Sequence, residues 1–223
     1  MGKLDEDCPA RRHDQHRGDA LPRPGLHTAS LRGRTFLSVH FAYVGDLAEG
    51  ERIAAELRAA APVYLDNLGI LAARDIGLIH SDPTEPGPGW ASGGLLDAID
   101  DDFITARLGL FGTGKRAPAV ACELRHLGNA TKTDVPGGSA SGGRAFDYSL
   151  ALISVPNPAL FGTVMPEVAD AMFAVLAPWF SAETKVNFGG ARRPGQVGVR
   201  WSADKLTRLR GIRAAHDPAG VFG

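Results

Sequence analysis

The chain has 223 residues, 44% of them hydrophobic, with a formal net charge of -1 at pH 7 and two cysteines. That length and apolar content suit one domain with a sizeable core and exclude disorder throughout; the near-neutral balance excludes a general attraction to nucleic acid. Cys8 and Cys122 are too few for a disulfide framework or a metal cluster, and no stretch has the length of a membrane span or the apolar run of a signal peptide, so the sequence predicts a protein of the cytoplasm without a membrane partner.

The 28 glycines and 15 prolines are spread without a period, which points to a loop-rich α+β protein. Residues 1–33 carry mixed charge, His13, His16 and His27, and no apolar periodicity, and read as a poorly ordered leader. The "HDQH" spacing lacks a helix to present it and does not predict a metal pair.

"TFLSVHFAY", Thr35 to Tyr43, is rich in β-branched and aromatic residues and predicts a strand. Asp46 caps the helix that follows, with Glu49 as the other half of a capping box and Ile53, Leu57 and Ala60 as its apolar stripe. A short second strand is expected around "PVYLD". Residues 82–94 read as a loop whose Trp90 plugs onto the body, and a helix is expected from about Leu95 to Leu108. "APAVACELRHLG" and "RAFDYSLALISVP" predict two antiparallel neighbouring strands joined by a long Gly/Ser-rich connection.

A helix from about Met165 to Trp179 carries Pro166 and Glu167 in its first turn and a Val168, Met172, Val175 stripe. The last helix starts after Ser202, presents Leu206, Leu209 and Ile212 inward, and stops at Pro218. Between these two helices, "KVNFGG" is expected as a short strand with Lys185 and Asn187 on one side and Val186 on the other. The predicted architecture is an antiparallel or mixed sheet with helices packed mainly on one face.

Strong catalytic motifs are missing: there is no Gly-x-Gly-x-x-Gly after a strand, no phosphate loop and no His-Glu-x-x-His. In "GLFGTGKRAP", Lys115 is followed by Arg116 and reads as a turn. Ser139 and Ser141 in "GGSASGG" lack the strand-turn-helix setting that activates a serine. From Lys185 to Arg213 eight Lys or Arg face the single acid Asp204, so this arm is locally basic.

Four separated pieces, read together, resemble the substrate-side and C-terminal half of FAD-linked oxidoreductases of the berberine bridge enzyme type. They are the opening "FLSVHFAYVGDLAEGERIAAELRA", Ser139-Ala140-Ser141 followed by Arg144, "KVNF" at Lys185 to Phe188, and "KLTRLRGIRAAHDPAGVF" at Lys205 to Phe222. The resemblance covers roughly Thr35 to Phe222, with residues 34–223 as a FAD-linked oxidase substrate-type domain and residues 185–223 as its terminal segment. It implies oxidation of a small-molecule substrate by hydride transfer to FAD, with molecular oxygen commonly taking the electrons afterwards. Three positions depart from the family pattern: Lys185 stands where a tyrosine is usual, Ser141 where an aromatic is usual, and Gly220 where an asparagine is usual.

The resemblance implies Asn187, Gly189 and Gly190 as cofactor-binding, Lys185 and Arg144 as catalytic candidates, and Trp90, Phe146 and Tyr148 as a substrate lining. Each has a plainer alternative: Asn187 satisfying the glycine turn, Lys185 a solvated lysine, Arg144 pinning a loop, and the aromatics as core. The family builds its FAD site mainly in an N-terminal domain, and about thirty residues precede the first predicted strand here. A separately encoded FAD-binding domain is therefore the expected partner, with self-association through an uncovered face. The competing reading is a non-enzymatic binding subunit or an inactive remnant.

Overall fold

The computed structural model describes residues 35–80, 85–115, 117–190 and 201–221. Expectations for the leader, for the basic residues 192–200 and for Phe222 fall outside them. The chain divides into two compact units, Met1–Pro86 and Gly87–Gly223.

In the first unit, α1 (Leu47–Ala59) begins where Asp46 accepts the Glu49 amide at 3.1 Å. The capping box is half formed, because the Glu49 carboxylate turns to Arg52 (2.8 Å) instead of reaching back to the cap. A 3-10 helix, Ala73–Leu78, follows. The strands expected at Thr35–Tyr43 and around Pro62–Asp66 are not formed; both stretches are irregular. Strand residues need a ladder partner for their N–H and C=O groups, and the described residues of this unit supply none. Propensity alone therefore misled: of the described apolar residues of this unit only Ala54 is buried.

The second unit holds an antiparallel sheet of three strands, β1 (Ala91–Leu96), β2 (Ala119–His126) and β3 (Tyr148–Ser154), in the order β1-β3-β2. The two strands read as antiparallel neighbours are neighbours. The third was missed. Leu95 and Leu96, expected to open a helix, pair with Ser149 and Tyr148, and the helix α2 (Asp101–Phe111) starts only after Asp100 accepts the Phe103 amide at 2.7 Å. β1 reads "ASGGLL", whose glycines resemble a loop in sequence, yet all but its first residue are buried. The gain is close approach. Carbon added at Gly93 would run into the Leu150 carbonyl, and at Gly94 it would lie 3.0 Å from the Phe180 ring.

Register assigns the two faces of the sheet. Leu96, Leu150, Leu152, Cys122, Leu124 and Tyr148 share one face, since directly paired residues point the same way. Against this face pack Phe103 of α2 and Met165, Ala169 and Met172 of α3 (Val164–Val175), with Leu176 beyond it. Each fully buried Leu, Met or Phe contributes on the order of 1.5–3 kcal/mol, so this layer is the core. Trp179 closes its edge, donating Nε1–H to Asp100 at 3.0 Å with its ring edge-on to Phe103.

The other face carries Leu95, Ser149, Ala151, Glu123 and Arg125, and irregular chain covers it. Phe188 lies beneath the Arg125 guanidinium, 4.8 Å from ring centroid to Cζ. The last helix, α4 (Ala203–His216), is capped by Ser202 as expected. It stops where Asp217 accepts the Val221 amide through its side chain (2.7 Å) and the Gly220 amide through its carbonyl (3.1 Å). Its expected inward stripe is shallow: Leu206 and Leu209 are half-buried and Ile212 is 48% exposed. The result is a mixed α+β fold with a small antiparallel sheet and several helices.

Candidate functional site

The loop between β2 and β3 folds onto α4 through Asp134. One carboxylate oxygen accepts the Val135 amide at 2.9 Å and lies 3.4 Å from Arg144 Nε, and the other is 3.5 Å from Lys205 Nζ. Facing groups of Ser139, first its hydroxyl and then its amide, together with the Arg144 charge, hold the Asp134 carboxyl far below the usual carboxylate range. Lys205 also donates to the Ser141 carbonyl at 2.6 Å, Arg208 to the Gly137 carbonyl at 2.9 Å, and Trp201 Nε1 to the Ala140 carbonyl at 2.7 Å. Three side chains from residues 201–208, together with Asp134 of the loop itself, thus fix one glycine-rich loop.

Arg144 spends its guanidinium on the protein. Nη1 donates to the carbonyls of Thr131 and Thr133, both at 2.9 Å, and Nη2 to the Ser139 hydroxyl at 3.3 Å. Its Nε is buried and faces Asp134 as an ion pair without hydrogen-bond alignment. This is the loop-pinning role.

The "KVNF" stretch is a turn, not the expected strand: the Phe188 and Gly189 amides donate to the Lys185 carbonyl at 3.3 and 2.9 Å. The two glycines decide the outcome. Gly190 has φ +62 and forms an isolated bridge with Ser92, so close to β1 that a side chain there would strike the Ala91 carbonyl. A left-handed residue in backbone contact cannot continue a strand. Gly190 therefore seats the turn on the sheet, and Gly189 is buried beside it. Asn187 stands exposed at the turn.

Lys185 lies next to the loop, its Cγ 3.1 Å from where a Cβ on Gly143 would sit. Partial burial, and secondarily the Arg144 charge, push the Lys185 ammonium down from its ordinary range. Lys185, Arg144, Ser139 and Ser141 are thus brought to one region, with Asn187 on the adjoining turn. The aromatics are not. Tyr148 and Trp90 pack against the helix-covered core, Tyr148 stacked on His126 at 5.1 Å, while Phe146 is half-buried ahead of β3.

Sequence reasoning missed Asp134, Lys205, Arg208 and Trp201. Each contacts a residue more than sixty positions away, or is contacted by one, and only the alternation of cations on α4 hinted at a polar seam. Among the described residues, no three His, Cys, Asp or Glu side chains cluster as a metal site, and no helix is long and apolar enough to cross a membrane. No protein-family model matches the chain, and no curated protein matches it.

Proposed function

We propose that Gly87–Gly223 is the substrate-side portion of a flavin-dependent oxidoreductase, with α2 and α3 on one sheet face and its ligand-handling chain on the other, as in the substrate domains of FAD-linked oxidases. The observation that carries this reading is convergence. Three pieces that resemble the family in sequence, the Ser139–Arg144 loop, the Lys185–Phe188 turn and α4, meet in one unit through Lys205 on Ser141 and Lys185 against Gly143.

The residues fit one end of the cofactor. Asn187 offers an exposed amide that donates and accepts, suited to the polar edge of a flavin ring. When bound, the flavin supplies the hydride acceptor. In this reading Lys185, whose charge is disfavoured by partial burial, takes a proton at Nζ from a substrate donor. The diphosphate end is different: it needs convergent donors, and those of Arg144 are committed to carbonyls and Ser139. A FAD-binding domain is the partner that holds it. The same commitment of Arg144 favours, as a second reading, a binding subunit that positions ligand without doing chemistry.

Amide NMR of the purified chain titrated with FMN tests the ring-edge role. The reading expects shifts at Lys185, Asn187 and Gly189 that disappear in Asn187→Ala. It also expects no yellow protein after gel filtration with FAD. Unmoved resonances across 185–190 would overturn the flavin assignment, and a bound yellow cofactor would overturn the division of labour. A substrate turned over only when the FAD-binding partner is added separates enzyme from binding subunit.

A further inference from the structure

The seam between the Gly/Ser loop and α4 forms a partly open cleft of about 70 Å³. Loop residues 138–140 form one wall, and Lys205, Arg208, Leu209 and Ile212 of α4 form the other. The spacing of these four, at i, i+3, i+4 and i+7, puts them on one helical face, so two cations sit directly beside two aliphatic side chains. We propose that this cleft is a binding site for a short-chain monocarboxylate.

Charge bookkeeping sets the sign of the ligand. Asp134 is the carboxylate at the seam and is shared between Arg144 and Lys205. Arg208 uses Nη1 on the Gly137 carbonyl and has no carboxylate partner among the described residues. Its Nε and Nη2 remain for an incoming anion, and a guanidinium matches a carboxylate in plane and spacing. The Ser139 hydroxyl oxygen accepts from Arg144 Nη2 and from the Ser141 amide, both at 3.3 Å, and so faces its own loop.

Shape sets the rest. The cleft is small, about 70 Å³, and partly open to solvent, which suits a ligand of a few heavy atoms. Leu209 and Ile212 offer contact to a chain of one or two methylenes, whereas a fully polar anion would leave that wall unused. Propionate or butyrate meets both halves. The site does not rest on the flavin reading, and its test needs no flavin.

The test is titration of the full chain with sodium propionate at constant ionic strength, followed by the amide resonances of Ser139, Ala140 and Arg208. Saturable millimolar binding is expected, with acetate about fourfold weaker for the lost methylene. Arg208→Gln is expected to weaken propionate about tenfold. Ile212→Glu, at an exposed position that does not hold the fold, is expected to abolish binding by placing a fixed carboxylate at the cleft. Three results would overturn the proposal: acetate, propionate and chloride acting alike; inorganic phosphate binding more tightly than propionate; or propionate retained in Ile212→Glu. If Arg208→Gln loosens the loop, the Ile212→Glu arm and the acetate comparison still decide.

Discussion

Asp134 is the residue on which the loop face turns, because it is reached by Arg144 from its own loop and by Lys205 from α4. Its native pKa is depressed, chiefly by Ser139. The stabilisation this carries is therefore fully present above the ordinary carboxylate range and is lost as pH falls through the lower native value. The loop is expected to stay pinned at mildly acid pH and to release only in strong acid. Asp134→Asn removes the charge at every pH. The indole N–H of Trp201, bound to the Ala140 carbonyl, reports the outcome. In Asp134→Asn at pH 7 its resonance should match that of the acid-released native protein, with faster amide exchange at residues 139–141. A variant whose Trp201 signal and exchange match the native protein would show that Arg144 and Arg208 hold the loop without the carboxylate.

At the scale of elements, the layers differ in what fixes them. Leu150 lies at full burial between β1, β2 and the helices, whereas Leu206 of α4 is half-buried and the seam beside it is pinned by polar contacts from Lys205 and Arg208. Leu150→Ala is expected to cost about 2–5 kcal/mol. Leu206→Ala is expected to cost no more than about 1 kcal/mol. Urea unfolding of the two variants checks the contrast, and equal losses would place α4 in the core. This difference also explains what the sequence disclosed. α3, α4 and the β2-β3 pair were legible because caps and apolar runs are local signals, as at Ser202 and in "YSLALIS", although the buried face of α3 is Met165, Ala169 and Met172 with Leu176 beyond it, and the expected Val175 is exposed. β1 was hidden, because "ASGGLL" earns its place by what it lets approach, namely Leu150 and the Phe180 ring, and not by its own propensity. Thr35–Tyr43 failed in the opposite sense, with strand propensity but no ladder. At the site, Arg144, Lys185 and Asn187 were named from motif resemblance, while Asp134 and Arg208 become visible only when the loop and α4 are adjacent.

For the whole molecule, the division at Pro86 and Gly87 separates a unit with a layered core from one in which, among the described residues, Ala54 is the buried apolar residue. A fragment of residues 87–223 is expected to fold alone, with a cooperative urea transition at the midpoint shown by that unit in the intact chain. Far-UV circular dichroism and amide NMR of the fragment check this, and a fragment without dispersed resonances would make the second unit dependent on the first. Within that unit, Gly93, Gly143 and Gly190 lie against β1 or its neighbours: added carbon at each would meet the Leu150 carbonyl, the Leu95 side chain and the Ala91 carbonyl respectively. Two of the three also hold φ values of +67 and +62. They are separated by up to about a hundred positions in the chain, yet close packing alone would make them tolerate substitution as poorly as a catalytic set. Any map of mutational tolerance, or of residues retained across related chains, will therefore trace a contiguous invariant line beside the Lys185–Phe188 turn that records how closely backbone passes backbone, and selection for packing there will carry the same signature as selection for chemistry.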